Sequence, residues 1–309
     1  MKTFSFFQVA GGLGVASAYT VTNAGRFMLK NIDPIVTPGQ YISHMHSFFG
    51  SDAVTANTTT SKELQAGCST AVNPNDYSAY WVPTLYAKND TDFIVVPISR
   101  FSAYYKQIDK AEVAIPQNYK VVAGNASATS SDHVDPLAGI QWFCEYGGSK
   151  ETKDRAAFPT KGCGRLQTLL LFHDCVNEET LESAYSGTHH WTETFKPTNR
   201  CPAGMKRMPQ LRFSIRYDLR DILPDGWDGP APLELSCGSA FCSHGDFING
   251  WLPEAAENML LANHKRDFKG VNGPNGKYNA GPLCKDEDIK DADPEHGTSD
   301  YAKSKEHLM

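Results

Sequence analysis

Two short strings in this chain place histidine and aspartate side chains at positions i and i+2. They are His44-Met45-His46 and His244-Gly245-Asp246. Alternate residues of an extended strand point to the same face, so each string directs two ligand-capable side chains toward one surface. If the strings meet, three imidazoles and a carboxylate form one cluster. Such a cluster could bind a divalent metal ion or transfer protons.

We predict that this cluster has a catalytic role and binds metal. The predicted catalytic residues are His44, His46, His189, His244 and Asp246, and the predicted metal ligands are His44, His46, His244 and Asp246. Zinc, copper and manganese accept such donors, and the sequence leaves the identity of a divalent ion open. Without an ion, a histidine and a carboxylate could act as general base and acid. In the alternative interpretation, backbone carbonyls satisfy these histidines and they do no chemistry.

Short apolar segments broken by turn residues must position the two strings. The clearest is 210–217, in which every odd-numbered residue is apolar, as in a half-buried antiparallel strand. With 25 glycines and 18 prolines spread through the chain, this pattern predicts a mainly β fold. We expect an antiparallel β-sandwich-like single domain with long loops and a few short helices, stabilised by disulfides. One helix is predicted over 253–261, directly after the second string.

The N-terminus has the features of a secretory leader. One lysine precedes a run of apolar and small residues, and Ala16-Ser17-Ala18 forms a cleavage pattern before Tyr19. A buried N-terminal helix is the alternative. We predict a signal peptide at 1–18, a single β-rich domain at 19–284 and a disordered acidic tail at 285–309. The tail has eight acidic and four basic residues and too few apolar ones to build a core.

The cysteines agree with an oxidising compartment. All eight follow the predicted leader, and an even number in a secreted chain predicts disulfides. Only Cys237 and Cys242 are close enough in sequence to suggest a particular pair. Zinc binding by these two and His244 is the alternative. Three acceptor sequons for N-glycosylation, at Asn57, Asn89 and Asn125, also predict an extracellular glycoprotein.

Charge and motifs exclude several classes of function. The net charge is −6 and no basic cluster occurs, so we expect no nucleic-acid partner. No segment after the leader has the length and apolarity of a membrane span, so we expect no membrane partner either. The chain contains no Gly-x-Ser-x-Gly elbow, phosphate-binding glycine loop or dinucleotide fingerprint. We expect a monomer.

Six sequence blocks occur in a distinctive order along the chain. They are 33–39, 43–46, 80–86, 201–202, 208–211 and His244-Gly245-Asp246-Phe247-Ile248-Asn249-Gly250-Trp251. Together they resemble a family of secreted fungal proteins that is known as a domain of unknown function and is often joined to WSC carbohydrate-binding modules. The resemblance extends over nearly the whole predicted domain. It implies a polysaccharide or cell-wall glycan as the partner.

The middle of the chain departs from the pattern of that family. Four residues keep the expected spacing, namely Cys175, Leu181, Ser183 and His189. Four others differ, because Val176, Asn177, Tyr185 and Ser186 stand where the family has Trp, Asp, Asp and His. The chain is therefore identified as a divergent member, and acid–base roles at the four differing positions do not carry over to it.

Two hypotheses of function follow. In the first, a secreted fungal enzyme hydrolyses a cell-wall or plant polysaccharide, or cleaves it by β-elimination, through the His/Asp cluster with metal assistance. In the second, the protein is non-catalytic and binds glycans or has a structural role in the cell wall. An open cleft lined by aromatic residues favours the first hypothesis, and a buried cluster favours the second. Four tryptophans could stack on sugars or fill a core: Trp142, Trp191, Trp227 and Trp251.

Overall fold

The structure is a computed structural model that describes residues 19–89, 92–145, 155–187, 198–261 and 270–285. The side chains of residues 89 and 92 are outside this description. So are the predicted signal peptide, the predicted tail beyond residue 285, and two residues of the sequence analysis, His189 and Trp191.

Sixteen strands and two α-helices are found in the described residues. The strands are β1 (Tyr19–Ala24), β2 (Arg26–Lys30), β3 (His46–Gly50), β4 (Ala79–Pro83), β5 (Leu85–Asn89), β6 (Asp92–Val95), β7 (Ile98–Lys106), β8 (Lys120–Gly124), β9 (Gln141–Cys144), β10 (Arg165–Leu171), β11 (Cys175–Val176), β12 (Ser183–Ala184), β13 (Lys206–Arg207), β14 (Gln210–Asp218), β15 (Leu233–Leu235) and β16 (His244–Ile248). The helices are α1 (Ser61–Gln65) and α2 (Pro253–Leu261), and 3₁₀ turns include Ala240–Cys242. The helix predicted over 253–261 is thus confirmed.

Two five-stranded antiparallel sheets form the body of the domain. The first sheet has the strand order β1-β7-β14-β10-β9, and the second sheet has the order β2-β3-β4-β16-β8. There are also two three-stranded sheets. The sheet β12-β11-β13 lies in the chain between β10 and β14 of the first sheet, and the strands of β15-β5-β6 lie in connections between the first and second sheets. The predicted antiparallel, sandwich-like β fold with few helices is confirmed.

The main core lies between the two large sheets. Phe49 and Tyr80 of the second sheet contact Phe101 of the first, with ring centroids 4.1 and 5.4 Å apart. Phe213 on β14 also contacts Tyr80, at 5.7 Å. The odd-numbered residues of β14 are all buried here, as their alternation predicts. Burial of each such aromatic side chain contributes about 1.5–3 kcal/mol, which makes this interface the principal source of stability.

A smaller core covers the outer face of the second sheet. Phe48 and Trp81 stack there at 5.4 Å, and Ile32 and Leu64 from the segments around β3 pack over them. Successive residues of a strand face opposite sides, so Phe48 belongs to this outer core whereas Phe49 belongs to the main core. The even-numbered residues of β3 and β16 therefore share the outer face.

A buried polar network crosses the main core. The Tyr80 hydroxyl donates to Asp76 Oδ2 at 2.6 Å and lies 2.6 Å from the Tyr105 hydroxyl. Trp251 Nε1 donates to the Tyr105 hydroxyl at 2.8 Å. Burial raises the pKa of Asp76 to about 6, although hydrogen bonds from Tyr80 and Ser78 oppose the shift. This network joins both large sheets to Trp251, which lies two residues before α2.

Four disulfides use all eight cysteines. The pairs are Cys68–Cys284, Cys144–Cys163, Cys175–Cys201 and Cys237–Cys242. The predicted disulfides, including the local pair at Cys237 and Cys242, are confirmed. Within the described part of the chain, no helix is long and apolar enough to cross a membrane.

Candidate metal centre

The register of the second sheet brings the two histidine strings to one place. Strand β4 lies between β3 and β16, with His46 opposite Pro83 on one side and Asp246 opposite Trp81 on the other. His44 lies two residues before His46, the first residue of β3, and His244 is the first residue of β16. Because residues two apart share a face, the histidines and Asp246 extend from the outer face of the sheet over β4.

Three imidazole nitrogens converge at this point. His244 Nε2 lies 3.1 Å from His44 Nε2 and 3.3 Å from His46 Nε2. Asp246 Oδ2 lies 3.8 Å from His244 Nε2. The structure thus brings together four of the five residues that the sequence analysis proposed. The fifth, His189, lies outside the described residues.

Backbone carbonyls fix the tautomers of two of the rings. His46 Nδ1 is 3.0 Å from the Ile32 carbonyl, and His244 Nδ1 is 2.7 Å from the Cys242 carbonyl. A carbonyl only accepts, so both Nδ1 atoms carry hydrogen, and both Nε2 atoms of the neutral rings present lone pairs. The 3.3 Å contact between His46 and His244 therefore has no proton to share. A backbone carbonyl on the remote nitrogen is also the usual support of a metal-binding histidine.

Burial keeps these imidazoles neutral. It lowers the pKa of His44 and of His46 well below the ordinary value of histidine, and the neighbouring rings add to the effect. It also lowers the pKa of His244 to about 4, against the opposing hydrogen bond to Cys242. Neutral imidazole is the form that coordinates a metal ion. The neutral rings therefore need no net loss of protons to coordinate an ion at neutral pH.

Asp246 is a buried carboxyl group that the described residues leave unsatisfied. It is fully buried, and neither of its oxygens has a hydrogen-bond partner among those residues. Burial raises its pKa well above the ordinary value of aspartate, and the charge of nearby Asp33 adds to the shift. An unsatisfied buried carboxyl costs several kcal/mol unless a cation or donor compensates for it, roughly 1–3 even for a neutral group.

The distances from His244 Nε2 to the other three donor atoms are close to those around a four-coordinate ion. At bonds of about 2.0–2.1 Å, ligands at the corners of a tetrahedron are about 3.3–3.4 Å apart. The two nitrogen pairs, at 3.1 and 3.3 Å, are close to that value, and the carboxylate at 3.8 Å is slightly wider. His46, His244 and Asp246 place their ligand atoms within 4.8 Å of one another. Three nitrogens and one oxygen are a donor set that zinc accepts.

Two local features hold the strings in this position. The Met45 carbonyl, between His44 and His46, accepts hydrogen bonds from Thr84 N at 3.0 Å and Ser236 Oγ at 2.5 Å. On the other string, a Cβ on Gly245 would lie only 3.0 Å from Leu170 and Phe213 of the first sheet. Glycine at this position lets β16 pack closely on the main core while its two neighbours face outward.

The centre is enclosed. His46 and Asp246 are 0% exposed and His244 is 2% exposed, whereas His44 is partly exposed. Two surface grooves, of about 380 Å³ beside Arg100 and about 520 Å³ beside Arg207, are lined by other residues. Solvent or a ligand therefore approaches the cluster from the side of His44.

The Cys237–Cys242 disulfide borders the centre. Cys237 Sγ, His44 and His244 form a second group whose ligand atoms all lie within 4.8 Å of one another. In the disulfide, this sulfur is not a thiolate and is a poor ligand for zinc. The alternative of a zinc site formed by Cys237, Cys242 and His244 is therefore wrong for the disulfide-bonded protein.

Comparison with known proteins places the chain in a family. The family model described as a domain of unknown function (DUF1996) matches residues 33–251, more than half of the chain. The chain belongs to the DUF1996 family. This match confirms the family resemblance, and all four residues of the centre lie inside it. No curated protein and no solved structure matches the chain.

Within the described residues of this DUF1996 protein, no tryptophan lines an open cleft at the centre. Trp142 and Trp251 are 3% and 1% exposed and belong to the main core, and Trp227 is partly buried against it. Trp227 Nε1 donates to the Pro159 carbonyl at 2.8 Å. Of the two alternatives for Trp142 and Trp251, the core position is the one observed, because their rings pack between the sheets.

The divergent block of the DUF1996 chain forms a separate polar cluster that the sequence analysis did not anticipate. Ser183 Oγ lies 2.8 Å from His173 Nδ1. Ser186, where the family resemblance leads us to expect histidine, donates to Asp174 through its backbone N and its Oγ, and Asp174 also pairs with buried Arg207 at 2.7 Å. The residues next to His173 in the sequence do not suggest a role for it. Only the tertiary structure pairs it with Ser183.

Proposed function

We propose that this DUF1996 protein is an extracellular metalloprotein that binds one divalent transition-metal ion through His44, His46, His244 and Asp246. One observation carries the proposal. Two neutral imidazoles present lone pairs to each other at 3.3 Å, beside a buried carboxyl group without a hydrogen-bond partner among the described residues. A cation between these atoms would satisfy all of them at once.

The donors favour zinc over the common hard cations. Calcium and magnesium prefer six or more oxygen ligands, whereas this centre offers three nitrogens and a carboxylate. Zinc takes four such ligands in a tetrahedron, and the distances from His244 Nε2 to the other three donors suit that geometry. Copper and manganese remain the other ions to be tested, since imidazole also suits copper and carboxylate also suits manganese.

Enclosure favours a structural role for the ion. Structural zinc sites have four protein ligands, whereas catalytic sites keep one position open. Here four donors are available and three of them are buried. The ion would link the segment before β3 to β16 across β4, and so fasten the outer core to the second sheet. This supports the hypothesis of a non-catalytic extracellular or cell-wall protein.

Secretion is part of the proposal. Four disulfides indicate an oxidising compartment, and the N-terminal sequence has the pattern of a leader. Asn57, in one of the three sequons, is exposed, as a glycan acceptor must be. A fungal source and a cell-wall glycan partner are the corresponding expectations from the family resemblance.

Action on a polysaccharide is the second candidate function. The observation in its favour is the partial exposure of His44, which leaves one side of the centre open to solvent. If Asp246 is a general base and not a ligand, the three imidazoles would leave a fourth position for water. A bound ion supplies Lewis acidity there, while Asp246 would hold the proton removed from that water.

Metal analysis and thermal unfolding test the first candidate. The purified protein should contain about one equivalent of zinc, and zinc added after chelation should raise the unfolding temperature in proportion to log concentration. His46→Ala should abolish both effects. His133→Ala, at an exposed histidine outside the cluster, is the matched control and should leave both unchanged. A chelated protein that neither binds zinc nor gains stability from it would contradict the proposal.

An assay for sugars released from polysaccharides distinguishes the structural role from the catalytic one. The zinc-loaded protein is incubated with a panel of neutral and acidic cell-wall polysaccharides, and reducing ends and unsaturated uronates are measured. Metal binding without release supports the structural role. Release that is lost in His46→Ala and retained in His133→Ala supports catalysis.

A further inference from the structure

The Cys237 sulfur lies beside the same metal centre but is withheld from it by a disulfide. Its Sγ is within 4.8 Å of the ligand nitrogens of His44 and His244. Cys237 is partly exposed, whereas its partner Cys242 is 1% exposed. The sulfur near the histidines is thus also the more accessible end of the bond.

Two hydrogen bonds hold Cys237 at the centre independently of the disulfide. Ser236, the preceding residue, donates from Oγ to the Met45 carbonyl at 2.5 Å, and its backbone N donates to the Thr84 carbonyl at 2.8 Å. The first bond connects the chain next to Cys237 directly to the string that carries His44 and His46, and the second connects it to the end of β4. Breaking the disulfide therefore leaves the Cys237 backbone beside the histidines.

We propose that the Cys237–Cys242 disulfide is a redox switch that sets the donor set of the metal centre, with Cys237 becoming a metal ligand when the bond is reduced. This inference rests on the proposed metal binding. In the oxidised protein the ligands are three imidazole nitrogens and the Asp246 carboxylate. In the reduced protein the Cys237 thiolate joins His44 and His244, and the ion is held more tightly because thiolate is a strong ligand for zinc.

The redox step requires a thiol reductant. A dithiol attacks the Cys237–Cys242 bond, forms a mixed disulfide and then closes to its own cyclic disulfide. Two electrons pass to the protein, and each cysteine sulfur takes up one proton. Binding of the divalent ion then releases the proton of Cys237 to solvent as the metal–sulfur bond forms.

Two serine variants and cobalt(II) test the inference directly. Cys242→Ser leaves Cys237 as a single thiol, and Cys237→Ser is the matched control that leaves only the buried Cys242 thiol. Cobalt(II) reports its ligands, because thiolate coordination adds an intense near-ultraviolet charge-transfer band to the visible bands of a tetrahedral ion. We expect visible bands in all three proteins and the charge-transfer band only in Cys242→Ser. Zinc affinity should be at least about tenfold higher in Cys242→Ser than in Cys237→Ser.

The outcomes distinguish this inference from the proposed function. Visible bands without charge transfer in Cys242→Ser would overturn the switch and leave the metal site standing. The same charge-transfer band in both variants would also overturn it, because it would assign no special role to Cys237. Absence of any tetrahedral cobalt spectrum in the wild type would refute the metal site itself.

A second measurement covers the case in which Cys242→Ser does not fold, as judged by circular dichroism. The wild type and Cys237→Ser are then treated with the dithiol, freed of it by gel filtration without oxygen, and mixed with cobalt(II). A charge-transfer band in the reduced wild type that is absent from reduced Cys237→Ser supports the switch. Equal spectra would reject it.

Discussion

At the scale of single residues, the centre combines groups that are individually unfavourable in a protein interior. His46 and His244 face each other with lone pairs at 3.3 Å, and Asp246 is buried without a hydrogen-bond partner among the described residues. Each group costs stability when it is considered alone. A bound cation would make each of these groups stabilising, because each group would then be a ligand.

The two buried histidines should act as one unit. His46→Ala or His244→Ala alone should abolish high-affinity zinc binding, since three remaining donors hold an ion weakly. The double variant should bind zinc no more weakly than either single variant, because residues of one unit are non-additive. Isothermal titration of the three proteins with zinc checks this. Additive losses would mean that the two histidines act at separate places.

Asp246→Asn should separate affinity from stability. The amide is close in size to the carboxyl group but carries no charge, so zinc affinity should fall by about 10–100-fold or more. The unfolding free energy of the metal-free variant should stay within about 1 kcal/mol of the metal-free wild type or rise, because the buried acid has no partner to lose. Titration with zinc and urea unfolding in chelator measure the two effects. Unchanged zinc affinity would show that Asp246 is not a ligand.

At the scale of elements, strand register determines where the donor side chains lie, and burial in the two cores determines how the strands pack. Even-numbered residues of β3 and β16 face outward to the centre, while Phe49 and Phe247 between or beside them face the main core. The centre therefore depends on correct packing of the second sheet. The Asp76–Tyr80–Tyr105–Trp251 network, which bridges both sheets, contributes to that packing.

Asp76 should make stability depend on pH between about 4 and 6. Its folded pKa of about 6 lies above the unfolded value of 3.8, so the folded protein binds more protons in this interval. Stability is then greatest below pH 3.8 for this group and falls as pH rises through 6, by about 2–3 kcal/mol in total. In Asp76→Asn this fall should be absent. Urea unfolding of both proteins in chelator at several pH values tests it, and parallel pH profiles would contradict the assignment.

At the scale of the whole molecule, one disulfide links the C-terminal end of the described chain to the loop that follows helix α1. Cys68 and Cys284 are separated by 216 residues, and Cys284 N also donates to the Ser69 carbonyl at 3.2 Å. A bond that closes so long a loop removes much of the entropy of the unfolded chain, by about 5 kcal/mol in the simplest account. It therefore fixes the chain at residue 284 to the domain.

Removal of the predicted tail and loss of the Cys68–Cys284 disulfide should affect thermal stability differently. Removal of residues 286–309 should leave the unfolding temperature within a few degrees, because this segment has too few apolar residues to add a core. Cys284→Ser should lower it clearly, since the long loop is then open. Thermal melts of the two variants and the wild type provide the measurement. A large loss on removal of 286–309 would show that the tail packs against the domain.

Local pattern was enough to predict several features of this protein. The alternation over 210–217 predicts a half-buried strand, the proline and the acid at 253–254 predict helix α2, and the even number of cysteines predicts disulfides. Each of these depends on interactions between residues close in the chain or on composition alone. The family was likewise accessible, because its blocks are short and continuous.

Only the tertiary structure decided how distant residues meet. Spacing could show that the two donors within each string share a face. It could not show that the strings, 200 residues apart in the chain, meet across β4. It could not place Cys237 beside them or pair Cys68 with Cys284. Nor could it show that Trp142 and Trp251 fill the core. Such contacts are set by the order of strands in the sheets and by which faces must be buried together, and these are properties of the whole fold.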